Sequence, residues 1–459
     1  MSDSPGRHGS KEPNISVGIT TAKKIFHFRL TGTFTSLPKA TLSSGRYTAC
    51  LGEGGISVID DSGRVILQQP SIALSPQVPE RSCFGLARVP VGEGFHWEYT
   101  QDLSFRGELR IRPFPPEGLQ VINTLPLEAY LCSVVGSEMS AAAPLEFLKA
   151  HAVISRSWAI RRITGKDRPA DPPPPTRRPA PDGEIFSWTG AEIHETFDVC
   201  ADDHCQRYRG ILRETASVLE KAVRETRGQI LTYGGEICDT RYSKCCGGMT
   251  EDFNSVWEDL DIPYLRSLPD NESPARGFSF PLSVEENARR WITGSPEAYC
   301  RTTDRGIIET VLPPSDRETG DFFRWERLYS QDELSLILGE KTGRDLGQIR
   351  DLLPLQRGGS GRIIRLRVVG TRSTLDVGKE LEIRRVLSPT HLYSSAFFVE
   401  KEATPGGVPK RFRLLGAGWG HGVGLCQIGA AVMAIHGKTY GEILRHYFPN
   451  TRLDRAYDR

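Results

Sequence analysis

The sequence predicts an α+β protein: a β-rich N-terminal region followed by a mixed α/β core with antiparallel strands and a few helices. Three observations support this fold class. Short runs rich in β-branched and aromatic residues alternate with turn residues over residues 15–118. Two stretches with helical spacing follow between residues 127 and 163. Strand-type alternation returns over residues 362–385, and 46 glycines with 31 prolines favour many turns.

Length and composition exclude several classes of protein. At 459 residues the chain is too long for one compact core, and it should hold two or three domains. A net charge of +1 gives no overall electrostatic reason to expect a nucleic-acid partner. No apolar run reaches the length of a membrane span. The N-terminus has no apolar h-region, so we expect no signal peptide and no membrane span.

The chain divides into five predicted segments. Residues 1–14 are polar and predict a disordered tail. In the β-rich region at residues 15–118, residues 52–55 and 61–63 are predicted hairpin turns. A proline-rich stretch at residues 167–183 is a predicted surface insertion. The remaining boundaries place a core at 119–265, a connecting region at 266–320 and a C-terminal part at 321–459.

The most informative stretch covers residues 123–160 and contains one carboxylate, Glu138, between apolar neighbours. Residues 127–135 have helical spacing, and Pro126 lies near the start of this helix. Glu138 is therefore expected where the helix ends. Because a positioned carboxyl is a common general acid or base, we treat Glu138 as the first candidate for chemistry.

A second helix is predicted from Pro144 to about residue 163, since proline suits the first turn of a helix. Lys149 and Arg156 are seven residues apart, which is two helical turns, so they share one face. From the residues alone, a solvated surface pair is the more ordinary interpretation. A cationic binding face is the alternative.

Four residues of metal-binding type lie close together at His194, Cys200, His204 and Cys205. Thiolates and imidazoles are zinc ligands, and four of them would complete a tetrahedral structural site. The adjacent His204 and Cys205 depart from the usual C-x-x-C spacing. A Cys200–Cys205 disulfide, or free thiols beside a surface histidine, are the alternatives.

A turn is predicted further along the chain, where Cys245 and Cys246 precede Gly247 and Gly248. Adjacent cysteines rarely bridge each other, so a packing role or an external partner is expected for this pair. Residues 229–239, with two central glycines, predict a hairpin just before this turn.

A glycine-rich segment lies near the C-terminus, with six glycines from Gly416 to Gly429 around His421 and Gln427. Glycines at this density let the backbone approach a ligand or another strand closely. His421 fits either a turn histidine or a ligand-contacting one. The segment contains no G-x-G-x-x-G, and the nearby GKT lacks the earlier glycine of a P-loop.

Three helix starts are predicted by capping-box patterns at Ser283–Glu286, Ser330–Glu333 and Thr439–Glu442.

Four ordered segments of the chain resemble the stage II sporulation protein D family, the SpoIID/LytB domain. They are PLEAYLCSVVGSEMSAAAPLEFLKAHAVISRSWAI, DVCADDHCQRYRG, YSKCCGGMTED and GAGWGHGVGLCQIGAAVMAIHGKTYGEILRHYFPNT. Together they cover the core of residues 119–265 and the C-terminal third. The insertion and most of the connecting region lie outside the resemblance.

The resemblance implies a protein that processes peptidoglycan. Characterised members of the family are lytic transglycosylases that act on glycan strands without stem peptides, and they stimulate a partner amidase. The expected partners are therefore peptidoglycan strands and a cell-wall amidase, and the expected location is the cell envelope. A non-catalytic glycan-binding activator of that amidase is the alternative function, and a zinc-dependent hydrolase is a more distant one.

The resemblance also implies roles for individual residues. The glutamate of the S-E-M motif is Glu138, the expected catalytic acid. Lys149 and Arg156 match polar positions of the family's cleft, where a cationic pair would bind the lactyl carboxylate of a stripped strand. The substrate-binding positions implied by the motifs are Ser137, Lys149, Arg156, Tyr242, Gly247, Gly248, His421, Gly422, Gly424 and Gln427.

Two further implications concern cofactors and departures from the family pattern. Some members bind zinc through a His/Cys cluster that resembles His194, Cys200, His204 and Cys205, so a structural zinc ion is the expected cofactor. Cys426 stands where the family usually has serine.

A lytic transglycosylase needs one carboxyl, which protonates the glycosidic oxygen and then accepts the proton of the C6 hydroxyl. Ordinary glycosidases use two carboxylates instead.

Overall fold

The computed structural model describes most of the chain. Residues 1–10 of the predicted tail and the predicted insertion at 167–183 lie outside the described residues. Within the described part, no helix has both the length and the apolar character that crossing a bilayer requires. The described ranges are residues 11–36, 40–92, 98–116, 118–165, 184–186, 194–212, 216–273, 275–302, 304–313, 316–317 and 320–458.

The N-terminal region consists of antiparallel strands, as the sequence predicts. Alternation in the second strand places Phe26, Phe28 and Leu30 inside and their neighbours outside. The hairpin between the fifth and sixth strands closes at the predicted Gly52 and Gly55. The strands are β1 (Asn14–Ala22), β2 (Ile25–Thr31), β3 (Phe34–Ser36), β4 (Ala40–Leu42), β5 (Gly45–Gly52), β6 (Gly55–Asp60), β7 (Val65–Gln69), β8 (Ile72–Pro76), β9 (Cys83–Val91), β10 (Tyr99–Phe105), β11 (Glu108–Phe114) and β12 (Gly118–Pro126).

The last residues of the predicted tail belong to the fold. Residues 11–14 lead into β1, and the Glu12 carboxylate accepts a hydrogen bond from the Glu128 backbone N–H at 2.9 Å. Glu12 also pairs with Arg227. These contacts attach the start of the chain to the first helix of the core.

The core begins with two helices whose starts follow the prolines, as the sequence predicts. Pro126 and Pro144 occupy the N-cap positions of these helices. The predicted hairpin at residues 229–239 is also present. The elements are α1 (Leu127–Glu138), α2 (Leu145–Ile163), β13 (Glu184–Phe186), β14 (Val199–Cys200), α3 (Ala216–Glu225), β15 (Gln229–Tyr233), β16 (Glu236–Ile237) and β17 (Tyr242–Ser243).

The C-terminal half alternates helices and strands. Its elements are α4 (Glu285–Thr293), α5 (Arg305–Val311), β18 (Arg324–Ser330), α6 (Gln331–Thr342), β19 (Ile349–Arg357), β20 (Ile363–Gly370), β21 (Thr374–Gly378), α7 (Glu380–Val386), β22 (Phe397–Lys401), β23 (Arg411–Ala417), β24 (Leu425–Cys426), α8 (Gln427–Ile435), α9 (Tyr440–Tyr447) and β25 (Arg452–Arg455). The structure thus combines helices with mainly antiparallel strands, which confirms the predicted α+β class.

Two local predictions in this half are wrong and two are confirmed. The LEIRR sequence, predicted as a strand, lies in α7, where Arg384 pairs with Glu380 and Arg385 pairs with Glu382. Helix α4 starts after Val284, without a side-chain cap from Ser283. Ser330 does cap α6, and Thr439 with Glu442 forms the predicted capping box of α9.

The described residues form two main hydrophobic cores. The larger one combines the N-terminal strands, α1, α2 and the C-terminal helices α8 and α9. The smaller one lies between residues 325 and 414 and is built on β18–β23 with α6 and α7. The chain therefore leaves the first core, forms the second, and returns to the first through the glycine-rich segment.

The return of the chain positions the candidate site. Strand β24 pairs in parallel with β17, with Tyr242 opposite Leu425 and Ser243 opposite Cys426. Strand β1 pairs with β12 on one side and β14 on the other, which brings residues 199–200 close to the helices. Three segments distant in sequence therefore meet near the end of α1.

Candidate active site

Glu138 is the last residue of α1 and is 7% exposed. Its Oε1 atom accepts hydrogen bonds from the Tyr242 hydroxyl at 2.9 Å and the Arg207 backbone N–H at 3.0 Å. Lys244 Nζ donates to the Glu138 backbone carbonyl at 2.8 Å. Within the part of the chain that the structure describes, Oε2 has no hydrogen-bond donor. The carboxyl group is thus oriented through one oxygen only.

Glu138 lines a cavity of about 330 Å³. The predicted residues Tyr242, His421 and Gln427 line the same cavity. Its aromatic wall contains the indole rings of Trp158, Trp257 and Trp419. The cavity also collects cationic side chains: Arg162, Arg207, Arg241, Lys244 and Arg384. This combination suits a polar, anionic ligand with apolar ring faces.

A buried carboxylate, Asp316, holds two of these cations in place. Lys244 Nζ lies 2.8 Å from Asp316 Oδ2, and Arg207 donates to both Asp316 oxygens at 3.1 Å. Burial raises the pKa of Asp316, but Lys244 and Arg207 outweigh it and lower the pKa well below its usual value. Asp316 therefore stays ionised and orients the two cations that contact Glu138.

Two polar side chains, Arg241 and His421, pack against Trp257 of the aromatic wall. The Arg241 guanidinium lies 4.4 Å from the centre of the Trp257 ring and bonds Asp239. The His421 ring packs against the same indole, 4.8 Å between centroids. Burial, followed by Arg241 and other arginines, lowers the pKa of His421 well below its usual value. His421 is therefore neutral, and its Nδ1 accepts the Val423 N–H at 3.0 Å.

Gln427, the first residue of α8, contacts a buried histidine that the sequence analysis did not identify. Its Nε2 lies 2.9 Å from Nε2 of His151 on α2. The His151 ring packs on Tyr242, with centroids 4.8 Å apart. Burial, with Lys244 second, lowers the pKa of His151 to about 3, so it stays neutral. Gln427 and His151 thus support Tyr242, which bonds Glu138.

The four predicted substrate-binding glycines serve backbone packing in this structure. All have positive φ, and a Cβ at Gly247 would lie 2.9 Å from the Gly418 nitrogen. At Gly424 it would lie 2.1 Å from the Arg241 carbonyl oxygen. Gly248 and Gly422 are similarly close to Trp291 and Arg362. None of the four lines the cavity.

Ser137 is also absent from the cavity wall. Its side chain is buried, and its hydroxyl has no hydrogen-bond partner within the described residues. Ser137 precedes Glu138 on α1, so its side chain points to a different side of the helix. Ser137 therefore lies outside the cavity that Glu138 lines.

The predicted cationic pair on α2 is corrected by the structure. Arg156 is 0% exposed and bonds both carboxylate oxygens of Glu128, at 2.9 and 2.8 Å. Lys149 pairs with Glu146 at 2.8 Å and Glu225 at 2.7 Å. Neither lines the cavity. The two do share a helix face, but that face packs on α1 and α3 rather than beside Glu138.

The predicted metal ligands do lie together. The ligand atoms of His194, Cys200, His204 and Cys205 are all within 4.8 Å of one another. His194 Nε2 lies 3.3 Å from Cys205 Sγ, and His204 Nδ1 lies 3.5 Å from the same sulfur. Because all four are nitrogen or sulfur donors, the set fits zinc. His204 and Cys205 also line the cavity, beside Arg207.

The residues missed by the sequence analysis fall into two groups. Arg207, Arg241 and Lys244 lie inside or next to the segments that carry the family resemblance, so their positive charge near those motifs was an available signal. Asp316 lies in the connecting region, where no motif marks it. Its role depends on a long-range contact that local sequence does not encode.

These features define an α+β protein with an aromatic, cation-rich cavity around one glutamate. Residues 116–233 match the family described as Stage II sporulation protein, and they contain α1, α2 and Glu138. Residues 251–424 match a family described as a domain of unknown function. Over residues 116–233 the chain is therefore similar to the Stage II sporulation protein family.

The relatives agree with this assignment. The chain is 25% identical to Stage II sporulation protein D of Bacillus subtilis (strain 168) over 340 residues, 73% of this chain and 77% of that protein. It is 25% identical over 337 residues to the protein of the same name from Bacillus amyloliquefaciens, 73% of this chain and 76% of that protein. It is 24% identical over 335 residues to the amidase enhancer of Bacillus subtilis (strain 168), 70% of this chain and 40% of that protein. The chain is homologous to these proteins.

Proposed function

We propose that this protein is a lytic transglycosylase that cleaves peptidoglycan strands lacking stem peptides, with Glu138 as general acid and base. The observation that carries the proposal is the pairing of the carboxylates in the cavity. Asp203 pairs with Arg207 at 2.6 Å and Glu380 with Arg384 at 3.4 Å. Among the described residues that line the cavity, Glu138 is the one carboxylate without an ion pair.

One such carboxyl is sufficient for the reaction. Glu138 donates its proton to the glycosidic oxygen and then, as carboxylate, accepts the proton of the C6 hydroxyl on the same muramyl ring. Attack within the sugar forms the anhydro ring, so neither a water nucleophile nor a second carboxylate is needed. Oε2, which has no hydrogen-bond donor among the described residues, is the oxygen that exchanges the proton.

Tyr242 and the Arg207 backbone keep Oε1 in position during both steps. Burial, and then the charge of Glu138, raises the pKa of Tyr242, so its phenol remains protonated and donates. The same two donors stabilise the carboxylate that forms after the first proton transfer. Holding the acid in one orientation contributes to the rate through positioning.

We assign recognition of a stripped strand to the cationic side chains of the cavity, and no longer to Lys149 and Arg156 on α2. Each stripped muramyl unit carries a free lactyl carboxylate. Arg241, stacked on Trp257, offers a guanidinium for that carboxylate and an adjoining aromatic surface for the sugar ring. A stem peptide in amide linkage would remove this negative charge, so stripped strands bind preferentially.

The metal proposed at the surface cluster is a structural zinc ion. His194, Cys200, His204 and Cys205 would fill all four coordination positions, so the ion would organise the chain without entering the reaction. Its place in the fold is next to Arg207, whose N–H binds Glu138. The ion would therefore stabilise the loop that orients the acid.

A second candidate function is supported by the relative named amidase enhancer. In this alternative, the cavity binds stripped glycan without cleaving it, and the protein activates a cell-wall amidase. Glu138 would then contribute to glycan binding only. The peptidoglycan strand is the ligand in both functions.

The two functions separate in one experiment. Purified full-length protein is incubated with stripped glycan strands, and the products are analysed by mass spectrometry for anhydro-muramyl ends. We expect these ends with the wild type, and a loss of about 10²–10⁴-fold with Glu138→Gln, the usual contribution of a general acid–base group. Glu225→Gln, which alters a carboxylate outside the cavity, is the matched control. Strand binding without anhydro ends in wild type and variant alike would contradict the enzyme and favour the activator.

A further inference from the structure

A second cluster of metal-binding side chains lies outside the cavity, in the interior of the fold. It consists of Cys246, Asp270, Cys300 and Cys426, whose ligand atoms are all within 4.8 Å of one another. All four residues are buried, and Asp270 is 0% exposed. They come from the Cys-Cys-Gly-Gly turn, the connecting region and the N-cap of α8.

The sulfur separation fits a shared ion. Cys246 Sγ and Cys300 Sγ are 3.7 Å apart. Two thiolates on a tetrahedral zinc ion, with Zn–S bonds of about 2.3 Å, lie roughly 3.8 Å apart. A disulfide would require a separation of about 2.0 Å. The two thiols are therefore spaced as ligands of one ion and not as a bonded pair.

Hydrogen bonds orient the ligand atoms. The Cys246 N–H donates to Cys426 Sγ at 3.2 Å. The Cys300 N–H donates to Asp270 Oδ2 at 2.7 Å, and the Tyr447 hydroxyl donates to Asp270 Oδ1. Such donors are the usual outer layer of a metal site, where they fix the direction of thiolates and carboxylates.

The charges around the cluster are also those of a metal site. Asp270 has no ion pair among the described residues, although a buried carboxylate is costly without a compensating charge. Arg324 lies nearby and donates to the carbonyls of Gly247 at 3.0 Å and Trp291 at 2.8 Å. Arg324 likewise has no carboxylate partner among the described residues. A divalent ion bound by three thiolates and a carboxylate has a net charge of about −2, which Arg324 offsets in part.

We propose that Cys246, Asp270, Cys300 and Cys426 bind a structural zinc ion, separate from the surface cluster. Three sulfur donors and one oxygen fill a tetrahedral site, so no position remains for a substrate. The ion links three segments that are distant in sequence. Two of them continue into the cavity wall, since Lys244 lies two residues before Cys246 and Gln427 directly follows Cys426.

The ion would also anchor the connecting region. Asp270 and Cys300 lie on the same stretch of chain as Asp316, the partner of Lys244 and Arg207. Holding this stretch against the turn and α8 places Asp316 for its two ion pairs. The connecting region would thus have a structural role, as the segment that supplies two ligands of the ion and the carboxylate of Asp316.

The test uses full-length protein with the surface cluster removed by Cys200→Ser and Cys205→Ser. Zinc is measured by mass spectrometry of the purified, desalted protein. We expect one equivalent of zinc in this background and its loss when Cys300→Ser is added. Cys238→Ser, which alters a buried thiol outside both clusters, should keep the zinc. Absence of stoichiometric metal in the background protein, or its retention in the Cys300→Ser variant, would overturn the proposal.

A second measurement does not depend on the folding of the Cys300→Ser variant. The background protein is stripped with a chelator under reducing conditions and reconstituted with Co²⁺. We expect thiolate-to-cobalt charge-transfer absorption that zinc abolishes by competition. A non-reduced intact mass showing one disulfide would overturn the proposal, and so would stoichiometric iron in place of zinc. Neither measurement uses cell-wall activity, so the outcome is independent of the proposed function.

Discussion

Arg156 and Arg207 are both buried arginines paired with carboxylates, but they belong to different parts of the molecule. Arg156 binds Glu128 through two hydrogen bonds and does not line the cavity. Arg207 binds Asp316 with its side chain and Glu138 with its backbone N–H. Burial and ion pairing are shared, so they do not distinguish scaffold from site. The distinguishing feature is the contact of Arg207 with Glu138, which is the carboxylate of the cavity without an ion pair among the described residues.

The largest expected effect is a loss of stability when Arg156, the structural arginine of this comparison, is replaced. Arg156→Met leaves Glu128 buried without its cation, and breaking a buried pair costs about 3–5 kcal/mol. Urea unfolding followed by circular dichroism measures this change. Lys149→Met, on the same helix face but with partners that are partly exposed, should cost less than about 1 kcal/mol. Equal effects of the two variants would contradict the assignment of Arg156 as the buried structural cation.

Replacement of Asp316, the carboxylate that pairs with Arg207, should reduce stability less than replacement of Arg156 does. It should reduce activity more. Among the described residues, Asp316→Asn leaves Lys244 without an ion-pair partner, whereas Arg207 keeps Asp203. We expect a loss of about 1–3 kcal/mol, the usual penalty for a buried polar group that loses its partner. Release of anhydro ends at a temperature where the variant is fully folded should fall. Unchanged activity would separate Asp316 from the site.

The pH dependence of stability follows from the same residue. The pKa of Asp316 is depressed in the native state, so the unfolded chain binds more protons in acid. Its contribution to stability is fully present above about pH 4, the range of an unperturbed aspartate, and declines as the pH falls toward the native pKa. Asp316→Asn should therefore flatten the acid side of the stability curve, measured by urea unfolding between acid and neutral pH. A curve parallel to that of the wild type would contradict the two ion pairs of Asp316.

A smaller effect is expected from Arg241, the cavity cation to which we assign recognition of the lactyl carboxylate. Arg241→Ala should weaken binding of stripped strands about tenfold, which corresponds to the roughly 1.5 kcal/mol of one charge-assisted hydrogen bond. Binding of strands that retain stem peptides should change less. Arg413→Ala, a surface arginine paired with Glu326 and Glu400, is the control. An equal loss for both kinds of strand would argue against carboxylate recognition by Arg241.

The smallest effect is expected at the hydroxyl that bonds Glu138. Tyr242→Phe removes one hydrogen bond worth about 0.5–1.5 kcal/mol, so activity should fall roughly three- to tenfold. Tyr329→Phe removes a buried hydroxyl in the second core, where it bonds the Leu387 carbonyl, and should leave activity unchanged. A rate unaffected by Tyr242→Phe would mean that the Arg207 N–H alone is enough to orient the acid.

Local patterns predicted the elements that depend on nearby residues. Both core helices start after their prolines, and the hairpin at residues 229–239 forms around two glycines at positive φ. The capping box at Thr439 is present because its hydrogen bonds span only one helical turn. The prediction at α7 is wrong because a short run of alternating apolar and charged residues fits both a strand and a helix. Tertiary contacts then decide between the two.

Motif resemblance located part of the site and misplaced another part. It indicated Glu138, Tyr242, His421 and Gln427, which line one cavity. It also indicated Arg156, whose seven-residue spacing from Lys149 identifies a shared helix face but not what that face packs against. A helix buried on most sides offers several faces, and the sequence alone does not rank them.

The sequence by itself determined the α+β class, the helix starts and a set of four nearby zinc-type ligands, because these depend on residue type and short spacing. Only the tertiary structure decided which cations face Glu138, that Asp316 positions them, and that Cys246, Asp270, Cys300 and Cys426 converge. These contacts join segments separated by tens to hundreds of residues. They form only when distant segments pack together in the folded chain, which no local pattern encodes.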